Sequence, residues 1–143
     1  MNQINLGMVL LAAILGFAVG MAWYSPFLFG PAWVKLMGKT KKQMQKEMKS
    51  KDMKKIFGLT AVLNLFIAYM LGQAIVLLHL HGWAEGAMAG FAIGVGFVST
   101  NAYVESLYAG RPFRLYLINT THQVAALTVM GIILGIGAPF NPV

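Results

Sequence analysis

Six of the polar side chains within stretches otherwise apolar enough to lie in a bilayer stand out: Asn64, Asn101, Glu105, Asn119, His122 and Gln123, beside the hydroxyls of Ser99, Thr100, Thr120 and Thr121. Their types are those that bind ions, protons or small solutes. A polar group in hydrocarbon is costly, so each must either hydrogen-bond to another helix or face a cavity. Asn101 and Glu105 stand four residues apart and share a helix face, as do Asn119 and Gln123 with His122 between them. Asn64 lies eight residues past Ile56, ~12 Å along a helix. His122 lies nine residues past Phe113, near the midplane of a ~30 Å hydrocarbon core. Imidazole has the side-chain pKa nearest neutrality, which makes His122 the candidate for direct handling of an ion, proton or ligand. Three of these groups also have a plainer reading. Glu105 can pair with Arg111 or Arg114 at the interface, and Asn64 and Asn101 can join helices by hydrogen bonds.

Other chemistries find less support. His79-x-His81 precedes Trp83 and Glu85, but a metal site needs suitable geometry and usually a third or fourth protein ligand. A haem held by two histidines would want them at matched depth, and His79 and His122 are not. No metal or other cofactor is expected. The chain has no Cys, which excludes disulfides, thiolate metal sites and a cysteine nucleophile. No Gly-x-Ser-x-Gly, His-Glu-x-x-His or phosphate-binding glycine loop is present. Glu105 and His122 could serve catalysis, yet nothing positions a nucleophile, so an enzyme is the least favoured class.

The elements that must position these groups follow from composition. With 143 residues, 58% hydrophobic and 10% charged, the chain is one domain with too much apolar surface for a water-soluble fold. The fold class is all-α: a polytopic membrane protein with four transmembrane helices, at about 4–24, 56–80, 84–107 and 113–137. The first segment has no basic n-region and its apolar run is too long for a signal peptide, so it reads as a retained helix. The turns at His81-Gly82 and Ala109-Gly110-Arg111-Pro112 are tight and make their flanking helices antiparallel neighbours. The tail from Ala138 to Val143 reads as a short irregular end. The one long connection, residues 30–55, holds nine Lys against Glu47 and Asp52. Within it Thr40 and Gln43 fit a capping box, and Met37, Met44 and Met48 share a face. That pattern predicts a short basic helix on the membrane surface.

All eleven Lys and Arg lie on one side of the four apolar segments. Basic residues stay on the cytoplasmic side, so both termini are expected on the non-cytoplasmic side of an inner membrane. The charge block is explained by topology and by anionic lipid head groups, and nucleic acid is not an expected partner. Glycines recur at helix-contact spacing: Gly16 and Gly20; Gly86, Gly90 and Gly94; Gly131 and Gly135. Such stripes let backbones approach closely, within the bundle or between copies in a homo-oligomer, with the Gly86–Gly94 face the best candidate for self-association. Gly16-Phe17-Ala18-Val19-Gly20 also matches Gly90-Phe91-Ala92-Ile93-Gly94, which raises a parallel repeat of two helical hairpins.

The most specific string is Trp23-Tyr24-Ser25-Pro26-Phe27-Leu28-Phe29-Gly30-Pro31-Ala32-Trp33. Trp and Tyr belong at the membrane boundary, and Pro26, Gly30 and Pro31 among the aromatics predict a broken helix end folded back along the interface. With the Met-Asn start, the Gly-rich first helix, the lysine-rich linker, the Glu105 to Pro112 stretch and Met130-Gly131, this string resembles domain-of-unknown-function family 1761, small bacterial membrane proteins. The resemblance covers essentially the whole chain. It implies a four-helix membrane domain and supplies no activity and no catalytic residues.

The expectation is therefore an integral membrane protein of transporter or channel type, binding an ion, proton or small solute at the polar cluster. The alternative is a scaffold or accessory protein that docks lipid or a partner through the basic linker and the aromatic string.

Overall fold

The computed structural model describes residues 4–138. Helix α1, Leu6–Trp23, starts where the Asn5 side chain accepts hydrogen bonds from the N–H groups of Gly7 and Met8 at 3.0 and 3.2 Å. A turn follows, then α2, Gly30–Leu36, with Pro31 in its first turn where no N–H is needed. Helix α3, Lys41–Ser50, carries the Thr40–Gln43 capping box, with both reciprocal bonds formed. Helix α4, Met53–Leu77, is capped by Asp52, whose carboxylate accepts from the Lys55 N–H at 3.1 Å. Helix α5, Gly82–Ile93, runs through a π-helical turn, Gly94–Ser99, into α6, Thr100–Tyr108. Helix α7, Phe113–Ile136, begins after Pro112. Beyond Ala138 the C-terminal tail lies outside the described residues, as does the Met-Asn start.

Four segments are long and apolar enough to cross a membrane: Leu6–Trp23, Met53–Leu77, Gly82–Tyr108 and Phe113–Ile136. The chain is a helical membrane protein with four spans. The second span starts earlier than its apolar run, at Met53 instead of Ile56. Asp52 supplies a cap there, and Lys54 and Lys55 join the helix while their long stems let the ammonium groups reach water. It ends at Leu77, because His79 takes a left-handed backbone conformation, φ 53°.

Helix α7 is the axis of the bundle: α1 and α5 both pack along it, while α4 leans mainly on α1 and barely touches α5. The α5–α7 contact is made by backbone. A Cβ on Gly86 would overlap the carbonyl oxygen of Gly131, and one on Gly90 would overlap that of Leu127. A Cβ on Gly135 would sit 2.9 Å from the Gly86 Cα, and one on Gly94 would sit 3.1 Å from the Val124 Cα. The Gly86–Gly94 face is thus used inside the chain, and a second copy would have to meet another surface. The Gly16–Gly20 stripe also faces α7, towards Met130 and His122. Both matched pentapeptides therefore face the same helix.

The closed core gathers at the end of the bundle where α1 begins and α7 ends. Val9, Ala12, Ala13, Ala68, Leu71, Ile75, Leu127, Met130 and Leu134 form one buried cluster there. Towards the opposite end, where the lysine linker lies, the first turns of α4 have no buried residue.

Candidate functional site

The polar residues of the spans do not form one cluster. The structure distributes them over an aromatic anchor, a lateral cavity and a shallow hollow.

The anchor is built from Trp23 to Trp33. Pro26 ends α1, and the chain reverses through a turn in which the Ser25 carbonyl accepts from the N–H groups of Leu28 and Gly30, each at 3.2 Å. Gly30 is buried where a Cβ would lie 2.7 Å from the Ser25 carbonyl oxygen, so no larger residue fits. Helix α2 is thereby folded back towards α7. The Trp33 indole N–H and the Tyr24 hydroxyl both donate to Asn119 Oδ1, at 3.0 and 2.9 Å. The Trp23 indole N–H donates to the Ile118 carbonyl at 3.0 Å. Asn119 is therefore a structural acceptor.

The cavity lies between α4 and α5, floored by α7, with a volume of about 410 Å³. Asn64, His122 and Gln123 line it among otherwise apolar walls. Asn64 Nδ2 donates to the Ala13 carbonyl at 2.6 Å, which ties α4 to α1 and leaves its Oδ1 as an acceptor. His122 stands where Gly20 makes room, since a Cβ on Gly20 would lie 2.9 Å from His122 Nε2. The His122 ring is flanked by Tyr24 and Trp23, with centroids 5.2 and 6.3 Å away. The cavity and the anchor thus meet at His122.

The hollow is lined by Asn101, Glu105 and Gln123 together with Phe97 and Val98 of the π-helical turn. Glu105 is 72% exposed and faces Arg111 at 3.7 Å. Val98 and Gln123 line both the cavity and the hollow. Elsewhere, the Glu85 carboxylate accepts from the His81 backbone N–H at 2.7 Å. Among the described residues no three His, Cys, Asp or Glu side chains come together as a metal site.

Sequence reasoning missed three features. The Tyr116 hydroxyl donates to the Ser99 carbonyl at 3.2 Å and braces the π-helical turn against α7. The Ile118 carbonyl receives Trp23, for which the signal was available: a buried indole N–H needs an acceptor. Thr120 is 5% exposed and its hydroxyl has no hydrogen-bond partner. By contrast, Thr121 and Thr128 donate to the carbonyls of Leu117 and Val124 at 2.6 and 2.8 Å.

Comparison with curated proteins and with solved structures finds no match. A family model described as "protein of unknown function (DUF1761)" matches residues 8–135. That match takes in nearly the whole of the four spans, the aromatic anchor and the basic linker, and the chain belongs to the DUF1761 family.

Proposed function

We propose that this protein is a small membrane carrier that holds its cargo in the cavity between α4 and α5. One observation supports the reading above others: Asn64, His122 and Gln123, from two helices, converge in a cavity with otherwise apolar walls. Ligand sites typically have a volume of ~300–1,000 Å³, mostly apolar linings and a few polar groups that fix orientation. No carboxylate lines the cavity, so a small solute suits it better than a bare cation. His122 is the group proposed to recognise the cargo.

The carrier is placed in a cytoplasmic membrane with both termini outside. This orientation rests on the one-sided distribution of all eleven Lys and Arg. The capped α3 helix would then lie on anionic lipid head groups. A reporter fused after Val143 tests the orientation: cytoplasmic activity overturns it.

The functional test uses proteoliposomes loaded with a pH-sensitive dye and, in parallel, with radiolabelled amino acids or fatty acids, stepped over about pH 5 to 8. At least one cargo crosses faster with the wild type than with His122→Ala. If nothing crosses although the protein is folded and correctly oriented, the carrier reading falls. A docking role at the basic, aromatic end then takes its place.

A further inference from the structure

The groups lining the cavity are sorted along its length. Asn64, His122 and Gln123 gather towards the linker end. Leu71, Leu127 and Met130 line it towards the end where α1 begins and α7 ends, and all three are buried. On α7 the distance from Gln123 to Met130 is seven residues, ~10 Å by helical rise. A site that is polar at one end and apolar over the next ~10 Å matches a molecule of the same polarity. The entrance has the same character. Phe66, Ile67 and Met70 on the α4 rim are exposed apolar side chains, and α4 barely touches α5, so the cavity opens sideways. The α5 wall is formed by Ile93 and Val98, which flank and lie within the π-helical turn, Gly94–Ser99. Such widened turns recur at functional sites in helices. A transmembrane helix is ~10 Å across with its side chains, too wide for a cavity of about 410 Å³. This argues against a second copy as the occupant.

We propose that the cavity is the seat of a single-chain amphiphile that enters from the bilayer between α4 and α5. Its head group, a carbonyl or hydroxyl, meets His122 and Gln123, and its hydrocarbon chain runs along α7 towards Met130. The Asn64 Oδ1 acceptor lines the same end and receives a head-group O–H. This inference rests on the carrier reading and names the class of cargo.

The test uses the full chain in nanodiscs of unbrominated phospholipid, titrated with 2-bromostearic acid, whose bromine lies beside the head group. Bromine quenches tryptophan, and the Trp23 ring lies 6.3 Å from His122. The expected result is saturable quenching that stearic acid and stearyl alcohol reverse and octadecane does not. His122→Leu raises the apparent Kd about tenfold, as loss of a head-group hydrogen bond would. Should His122→Leu fail to fold, the exposed Gln123→Leu shifts the same titration in the same direction. Quenching that rises linearly with probe, or octadecane competing as well as stearic acid, overturns the proposal. The two readings separate cleanly. Saturable, head-dependent binding without movement of stearic acid between vesicles upholds the amphiphile site and overturns the carrier. Movement of a water-soluble cargo without amphiphile binding does the reverse.

Discussion

The two flanks of α5 meet their neighbours in opposite ways. Towards α7, Gly86, Gly90 and Gly94 bring backbone against backbone, with no room for a methyl group at Gly86 or Gly90. Towards α4 the helices scarcely touch, and the gap holds a cavity of about 410 Å³. Both flanks are apolar, so hydrophobicity does not separate them. In lipid, apolar surface gains little from leaving the solvent, and close packing and hydrogen bonds decide which helices associate. The glycine stripe permits close packing on one side. The larger side chains of α4, Phe66, Ile67 and Met70, leave the other side open. The same span is thus a structural seam on one face and the wall of a cavity on the other.

The contrast is broken most severely at Gly86. Gly86→Leu forces a side chain into the Gly131 carbonyl and is expected to cost about 3 kcal/mol or more. Thermal melting followed by size-exclusion should show loss of folded protein. Met70→Leu, on the open flank, should stay within ~0.5 kcal/mol of the wild type in the same assay. Equal effects at the two positions would mean that the flanks do not differ as described.

Asn119→Leu comes next. It leaves the Tyr24 hydroxyl and the Trp33 indole N–H without their acceptor. The expected cost is about 2 kcal/mol, and proteolysis of the linker should become faster as α2 lets go of α7. Unchanged linker protection would show that α2 is held by other contacts.

Thr120→Val sharpens the seam. It removes a buried hydroxyl that has no partner at similar volume, so stability should be unchanged or rise by about 1 kcal/mol. A lower melting temperature would reveal a hydrogen bond to that hydroxyl.

The smallest effect lies in the linker. Glu47 accepts hydrogen bonds from Lys39 and Lys51, and their charges add to this; together they hold its carboxyl below the usual carboxylate range. A lowered folded-state pKa supports the fold above the unfolded value, and that support is lost as pH falls through the lowered one. A spin label at Ser50 should therefore keep its mobility from neutral pH down into the carboxylate range and gain mobility only below it. Glu47→Gln should show the higher mobility throughout.

The four spans were legible because apolar run length is a one-dimensional property. The capping box at Thr40 and the glycine stripes could be read for the same reason: spacing alone defines them. The partner of each stripe could not, since Gly86 and Gly16 carry the same local pattern and both turn out to face α7. Spacing groups the polar residues by height along the helices, but direction decides what each one meets. Asn119 is turned to Trp33 and Tyr24, while His122, three residues on, lines the cavity. For Asn101 and Glu105 the reason is the π-helical turn before them, Gly94–Ser99. The extra residue in a wide turn rotates everything after it by about 100°. A strict helical period drawn through that turn places Glu105 on the wrong face.

The glycine seam also sets an order of assembly. Its two helices are joined by the short turn at 109–112 and can pair outward from it, so little loop entropy opposes each step. The bond from Trp23 to Ile118 spans 95 residues and cannot form until the last helix has been made. Helix α1 must therefore enter the membrane and wait, alone or against α4, while the hairpin that completes the bundle is still being synthesised. Contacts of such long range are slow to form, and in the finished bundle α4 and α5 still scarcely touch.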